Sequence, residues 1–583
     1  MFSPNPIKSN VVGNRIDKCY NISAVLSPLS KEDAEFLAHI YPVDDQLQVT
    51  FYGCQTKKCI YKADFTNAKQ FIADIPKIFD SKIKAVILLV FDFKNKNYPN
   101  NIKFCETLKA KLDRTKIPYY FLSNFNCMMI RALKTANITV NVGETIMIVF
   151  SDGQWARIFE YTQDGYKLVQ KISNKDMAKN GDLYLEIWAG IKKSQKVIIT
   201  TGKYQQRFIN ILKSRNPVLC DITDSKYDAT CLMEIMKAML DKSYTKFHVL
   251  PVTARNYFIG YEFGEKDFTL IDVPFNNLFL PLESTNGCSK TCFNHFLAYM
   301  DFAEGKLVKH KIFHLDQSFH EYKITITIDA NNFPTYEVEN IIHEHIVNFP
   351  KFCDNYKAVG IDDLKTYQII GILANRSFVC VCKDGNFTFL KSWGGQWGKQ
   401  MHISFDKKKP QFGEHAEETL AKHGRYGVQD LLQIMTEGDK AGTEITPHGY
   451  TFTKNDTHPV LIEFDTFDGK KSAAAPEFLV AMLLKEHLIA IKNETSEKPT
   501  SLGFFENVIH EHIENFPKFC DNYKAVGIDN LKTYLIIGIL ANRSFLCICK
   551  DGNFQFLESW GGQWGKQMHI SFDKKKPQFG EHA

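Results

Sequence analysis

Short patterns in this 583-residue sequence carry the residue types that could do chemistry. His343-Glu-His345, repeated as His510-Glu-His512, offers imidazole and carboxylate donors of the kind zinc takes. No second ligand set stands at a helical i, i+4 spacing, so a plain helix with exposed histidines is the expectation. Trp393-Gly-Gly-Gln-Trp-Gly398, which returns at 560–565, could be an aromatic binding loop, but indoles capping the edge of a strand meander explain it better. Cys380/Cys382 and Cys547/Cys549 lie at period two on apolar strands, which turns each pair toward a core rather than toward redox work. The last pattern is Lys357-Ala-Val-Gly-Ile-Asp362-Asp-Leu-Lys-Thr-Tyr367, which recurs over 524–534. It sets Asp362, Lys365, Thr366 and Tyr367, then Asp529, Lys532 and Thr533, at a strand–turn–strand start. A lysine there could hold a phosphate, although a lone turn lysine is usually solvated.

These stretches belong to a long internal repeat. Residues 341–416 and 508–583 agree at all but eight positions, and changes such as Val379/Leu546 and Val381/Ile548 are mild, so both copies should share one fold. The length suggests roughly three to five domains. Hydrophobic residues make up 44% and charged residues 23%, and no apolar run reaches the ~18–20 residues of a membrane span. Fifteen cysteines without a Cys-x-x-Cys pair fit reduced, buried thiols. The formal charge of +5 is small and dispersed, which argues against nucleic acid and against a membrane surface. The first residues carry no secretory pattern, which favours the cytoplasm, with the nucleus second.

Periodicity then places the elements. A short amphipathic pattern at 10–20 precedes a helix over 30–37 with Ser30 as N-cap and Asp33 at the capping-box position. Residues 46–52 and 59–63 form a hairpin, and a helix at 67–79 leads to 85–91, an apolar strand covered on both faces. Helices at 100–112 and 127–136 alternate with strands at 118–122 and 145–150, so the sheet is at least partly parallel. An antiparallel pair at 156–161 and 165–171, a helix at 181–193, a strand at 196–201 and a helix at 204–214 follow. From Asn256 to Val338 the segments alternate polar and apolar like a small β-sandwich. Within the repeat, strands meander from 358 to 391, with helices at 417–422, 428–436 and 475–492. The order of elements over 416–507 resembles that over 1–90.

Val359-Gly-Ile-Asp-x-x-x-Thr-Tyr, the Asp384-Gly-Asn hairpin, Gln400-Met-His-Ile-Ser-Phe and Phe412-Gly-Glu-His-Ala416 resemble the opening of the ATPase domain in the heat shock protein 70 (seventy-kilodalton heat-shock chaperone) family. Residues 10–283 look like the rest of the same domain, and 306–338, with Ile324-Thr-Ile-Thr-Ile-Asp-Ala-Asn-Asn-Phe, resembles a shortened peptide-binding sandwich. The resemblance covers most of the chain in permuted order. It implies an α/β fold with an actin-like (ribonuclease H-like) ATPase body at 1–275 that lacks its opening strands and one subdomain. A reduced β-sandwich at 276–340 follows, then a copy of the lobe's opening segment at 341–507 and a truncated second copy at 508–583.

The same resemblance locates a nucleotide site and its losses. Such a site needs glycine-rich hairpins whose N–H groups approach the phosphates, and carboxylates for Mg²⁺ and water. In the first phosphate loop, Asp362 and Thr366 match, but Leu364 and Lys365 stand where the family has glycine and threonine. In the second, Phe150-Ser-Asp-Gly-Gln-Trp155, only Gly153 matches; Phe150 takes the aspartate position and Asp152 lies two residues on. The catalytic glutamate falls on Asn124, and the adenosine motif becomes Thr200-Thr-Gly-Lys-Tyr204, with Gly202 one place out of register. About two dozen residues between Lys171 and Lys196 replace a subdomain that clamps the adenine.

The expectation is therefore a pseudo-ATPase with negligible hydrolysis and no catalytic residue or metal ligand set of its own. ATP or ADP would bind weakly at most, and Mg²⁺ only with the nucleotide. Function would be interaction in chaperone and protein-folding pathways, with unfolded or extended peptides and co-chaperones as partners. Two rivals stand beside it: an ATP-binding chaperone in which Asp362 or Asp529 completes the nucleotide site, and a remnant of duplication without activity.

Overall fold

The computed structural model describes residues 22–173, 194–350, 368–437 and 449–507, with short interruptions, and strands between 533 and 579. The chain is mixed α/β, built from several small sheets with helices against them.

Helix α1 (Ile22–Leu29) precedes β1 (Phe36–Val43). The helix expected over 30–37 is thus corrected: its last residues open a strand. Phe36, Leu37, Ala38 and Ile40 are all buried, because both faces of β1 are covered, and this erases the alternation that marks a strand. Asp33 is no capping-box residue either. Its carboxylate accepts from Ser30 Oγ (2.7 Å), Gln55 N (2.7 Å), Thr56 N (3.0 Å) and Thr56 Oγ1 (2.6 Å), fixing the turn between β2 (Gln46–Gly53) and β3 (Cys59–Phe65).

After α2 (Ala68–Ile78), strand β4 (Ile83–Leu88), helix α3 (Asn101–Leu112) and strand β5 (Tyr119–Phe121) complete a five-stranded sheet of order β3-β2-β1-β4-β5. β1, β2 and β3 are antiparallel, while β4 and β5 run parallel to β1. Helix α4 (Asn124–Ala136), capped by Ser123, leads into a second sheet. Strands β6 (Thr145–Phe150), β7 (Trp155–Thr162), β8 (Gly165–Ile172) and β9 (Ser194–Thr200), then helix α5 (Gln205–Ile211) and strand β10 (Val218–Cys220), repeat the pattern as β10-β9-β6-β7-β8. Again three strands are antiparallel and two run parallel to the first of them.

α4 and α6 (Asp228–Leu240) lie between the sheets. Met129, Leu133, Leu232 and Ile235 pack with Leu37 and Ile87 of the first sheet and with Ile146 and Ile198 of the second. One core therefore fixes both sheets relative to each other.

The sandwich begins earlier than residue 276, because β11 (Tyr257–Phe263) and β12 (Lys266–Val273) belong to it. They join β14 (His295–Asp301) and β15 (Lys306–Phe313), and this sheet faces β13 (Leu282–Ser289), β16 (Glu321–Ile328) and β17 (Pro334–Ile341). Ile259, Val273, Leu297 and Tyr299 meet Tyr322, Ile324, Ile326 and Ile328 in the core between them. The β16–β17 turn reaches the first sheet: Asn331 Oδ1 accepts from Phe121 N (3.1 Å), Asn332 Oδ1 from Ala254 N (2.6 Å), and Phe333 sits edge-on to Phe121.

A short helix α7 (Glu344–Val347) opens the repeat. β18 (Gln368–Leu373), β19 (Arg376–Lys383) and β20 (Asn386–Phe389) form three strands of the expected meander, whose opening strand at 358–361 lies outside the described residues. Short strands β21 (Lys399–Gln400), β22 (Ile403–Ser404), β23 (Gln411–Phe412) and β24 (Gly427–Val428), with helices α8 (Glu414–His423) and α9 (Leu431–Glu437), lead to a three-stranded sheet. That sheet holds β25 (Thr451–Thr453), β26 (Leu461–Asp465) and β27 (Lys471–Ala474); the long α10 (Pro476–Thr495) follows it.

The next strand, β28 (Ser501–Asn507), runs parallel to β18, giving β20-β19-β18-β28, the order of the first four strands of each body sheet. β29 (Thr533–Leu540), from the second copy, takes the fifth place, parallel to β28, and continues into β30 (Arg543–Lys550) and β31 (Asn553–Phe556). No described strand of either copy pairs with the first sheet, whose five strands all come from residues 36–121. Among the described residues, no helix is long and apolar enough to cross a membrane.

Candidate functional site

In sheets of this kind ligands meet the chain at the carboxyl ends of the parallel strands. In the second sheet those ends are tied together. Ser151, just past β6, donates from N to Thr200 Oγ1 (3.1 Å) and from Oγ to Thr200 O (2.5 Å); Thr201 N donates to Cys220 O (2.9 Å). This brings Asp152, Gly153 and Gly202 into one place. Asp152 Oδ1 accepts from Lys203 N (2.6 Å), and a Cβ on Gly202 would fall 2.5 Å from that oxygen, so a side chain there would push the Asp152 carboxylate aside.

The loop is satisfied by its own neighbours. Trp155 stacks on Phe150 at 3.9 Å, and the Arg157 guanidinium lies over Trp155 at 4.5 Å. A Cβ on Gly153 would lie 2.2 Å from the Trp155 ring, and Arg207 Nη1 donates to Gln154 Oε1 (3.0 Å). The Asp152 carboxylate accepts a bond from a backbone amide, and the indole of Trp155 lies beside Gly153. Asn124, at the start of α4, donates from Nδ2 to Asp92 Oδ2 (2.6 Å).

Beside this loop lies a polar cluster that the sequence reading missed. Arg131 of α4 pairs with Asp228 at the start of α6, and its Nη2 donates to Asp224 O (3.0 Å). Burial pushes the Asp228 carboxyl up, against the pull of Arg131 and Lys62. The Thr223 hydroxyl and amide hold the Asp221 carboxyl below its usual range, with help from Thr201 and Arg131. From the first sheet, His39 reaches toward the same arginine. Burial, then the Arg131 charge, lowers its pKa to about 4, and its Nε2 is buried without a hydrogen-bond partner. His39 stacks on Tyr41 at 4.8 Å. The available signal was the polar pair His39 and Tyr41 at period two on an apolar strand, which the helix assignment of 30–37 concealed. Three-member groups of His, Cys, Asp or Glu able to hold a metal ion are absent among the described residues.

Asp362, Lys365, Thr366, Tyr367, Asp529 and Lys532 lie outside the described residues, as do the second histidine pair and the tryptophans at 560–565; Thr533 opens β29. The remaining patterns resolve into packing. Trp393 is buried and donates from Nε1 to Ser377 Oγ (3.1 Å), while Trp397 lies against His320 (4.8 Å) and Lys290 (5.8 Å) of the sandwich. His343 pairs with Glu321 at 2.8 Å. Cys380 is buried, and Cys382, on the same face of β19 nearer the strand end, is half-buried. A cavity of about 590 Å³ in the repeat unit is walled by Phe405, Leu461, Phe464 and Met482, with His458 at its edge; it carries no arrangement of groups for chemistry. No family model matches the chain, and no curated protein matches it.

Proposed function

We propose that the chain is a divergent relative of the seventy-kilodalton heat-shock chaperones: a pseudo-ATPase that works by binding peptides or protein partners. One observation carries this reading. Two sheets of the same five-strand order, packed through two helices, are followed directly by a two-layer β-sandwich, the arrangement expected of an actin-like body with its peptide-binding unit. The second phosphate loop supports the degenerate half of the proposal, since Phe150, the Asp152–Lys203 bond and the Trp155 stack replace an open anion cradle. The sandwich, clamped to the body through Arg255 and the Asn331–Asn332 turn, keeps the means of interaction. Extended peptides and co-chaperones are its partners, and ATP or ADP with Mg²⁺ binds weakly at most.

The test is a melt of the purified full-length chain with and without Mg²⁺-ATP, together with phosphate release. The expected result is a midpoint unmoved within ~1 °C, since a ligand at about a third of its Kd or less adds no more than ~0.2 kcal/mol. Magnesium-dependent turnover comparable to a working chaperone would sink the pseudo-ATPase reading and favour a site completed by Asp362 or Asp529.

A further inference from the structure

At one end of the sandwich a small aromatic cleft stands apart from the core between the sheets. Phe263 and Phe293 are 3% and 5% exposed, with Tyr261 and Phe268 packed against them. Tyr261 lies flat against Phe268 (5.4 Å) and Phe293 (5.8 Å), while Phe263 meets Phe293 edge-on at 4.8 Å. Among the described residues its members form a cluster separate from the core between the sheets, with His295 5.9 Å from Tyr261. The cleft is closed by Leu420, which is fully buried, and by Ala421, both on α8 of the repeat unit more than a hundred residues downstream.

α8 presents Glu417, Leu420 and Ala421 on one face, at i, i+3 and i+4. It runs between Gly413, at φ +62°, and Gly424. Glu417 is itself buried, and beside it lies Lys290, a buried lysine of the sandwich whose Nζ donates to Gln317 O; burial and then the Arg376 charge lower its pKa to about 8, against the opposing charges of Glu417, Asp316 and Glu414. The cleft therefore takes one leucine, with a cation placed for an acid one helical turn before it.

We propose that the cleft of Tyr261, Phe263, Phe268 and Phe293 is a docking site for a leucine preceded three positions earlier by an acidic residue, and that Leu420 is its resident, displaceable occupant. The inference rests on the peptide-binding reading of the sandwich and names both its partner chemistry and its restraint. A partner segment of this kind gains access only when α8 leaves, so binding to the native chain is weak and competes with α8. Charge complementarity with Lys290 selects acidic leucine segments over purely apolar ones.

The experiment uses the full chain and a fluorescent peptide with the sequence of residues 413–424, beside the same peptide carrying aspartate for its leucine. Two variants release α8 by different routes. Leu420→Asp removes the occupant, and Glu417→Lys sets like charge against Lys290 while keeping the leucine; the second matters because Leu420 also lies against Gly427 within the repeat unit. Both should bind the peptide at least about tenfold more tightly than the native chain, a gain of ~1.4 kcal/mol. The aspartate peptide should not bind, and adding Phe263→Ser should abolish the gain. Hydrogen exchange over 414–423 should rise in both variants, and in the native chain on adding peptide. Equal affinity in native and variant chains would overturn self-occupancy while leaving the peptide reading standing. Failure of both variants to bind, with α8 shown released by exchange, would overturn the cleft as a docking site and the peptide reading with it.

Discussion

Lowering the pH should loosen the repeat unit through His487, and the size of the effect can be worked from its surroundings. The ring is fully buried in α10 and lies 4.3 Å from Trp393. Nδ1 donates to Leu483 O (2.7 Å), which leaves Nε2 to accept from Ser377 Oγ (2.8 Å), and that hydroxyl accepts from Trp393 Nε1 (3.1 Å). A second proton on Nε2 would break this chain and put a charge in a closed core. Burial accordingly lowers the pKa from 6.5 to about 4, with the Leu483 carbonyl opposing. The unfolded chain takes up a proton as pH falls through ~6.5 and the folded chain only near ~4, so stability is full above ~6.5 and drains between those values. Between pH 7.5 and 5 this one residue costs about 2 kcal/mol.

His487→Gln keeps an acceptor for Ser377 but does not titrate. At neutral pH it should cost about 1–2 kcal/mol for the lost Leu483 bond. Its loss between pH 7.5 and 5 should be smaller than that of the native chain by about 2 kcal/mol. Native-state hydrogen exchange of the α10 and β19 amides isolates the opening of this unit from the rest of a multidomain chain. Equal pH-dependent losses in both proteins would refute the assignment of a neutral, buried imidazole.

Asp33→Ala should destabilise the first sheet by about 2–3 kcal/mol, because the Gln55 and Thr56 amides lose their acceptor; urea unfolding followed by hydrogen exchange in β2 and β3 would show it. Burial raises the Asp33 carboxyl, but its bonds from Thr56, Ser30 and Gln55 outweigh this and hold it below 3.8, so its contribution is present above ~4 and fades as pH falls through the lower folded value. Arg255 lies between the Phe91 (5.0 Å) and Tyr299 (4.9 Å) rings and donates to Phe91 O (2.9 Å) and to Asn101 Oδ1. Arg255→Lys keeps the charge but not the planar fork, and should weaken body–sandwich coupling by about 2 kcal/mol, seen in calorimetry as body and sandwich transitions further apart than in the native chain. Trp393→Phe removes the donor to Ser377 and leaves a smaller ring in a buried core site, so it should cost about 2–3 kcal/mol, read by exchange in β19.

How much of this was legible followed from whether an element's evidence was local. The hairpin at β2 and β3, the helix α2 and the apolar strand β4 were readable because periodicity sits within a few residues. The start of β1 was not, since a strand buried on both faces loses its period, and Ser30 with Asp33 imitates a helix start while its carboxylate serves a turn twenty residues away. The loop at Asp152, Gly153 and Gly202 was singled out from its sequence. That Asp152 would accept from the Lys203 amide depended on two strand ends meeting.

The cluster of His39, Arg131 and Asp228 escaped for the same reason: its members come from two sheets and two helices, and no spacing links them. By itself the sequence determined the duplicated segment and the alternation of strands and helices, both of which are properties of neighbours along the chain. Only the tertiary structure decided that both body sheets share one strand order, that β29 of the second copy lies beside β28, and that Leu420 closes the aromatic end of the sandwich. Those are choices among distant partners, made by which surfaces exclude water together, and no local pattern encodes them.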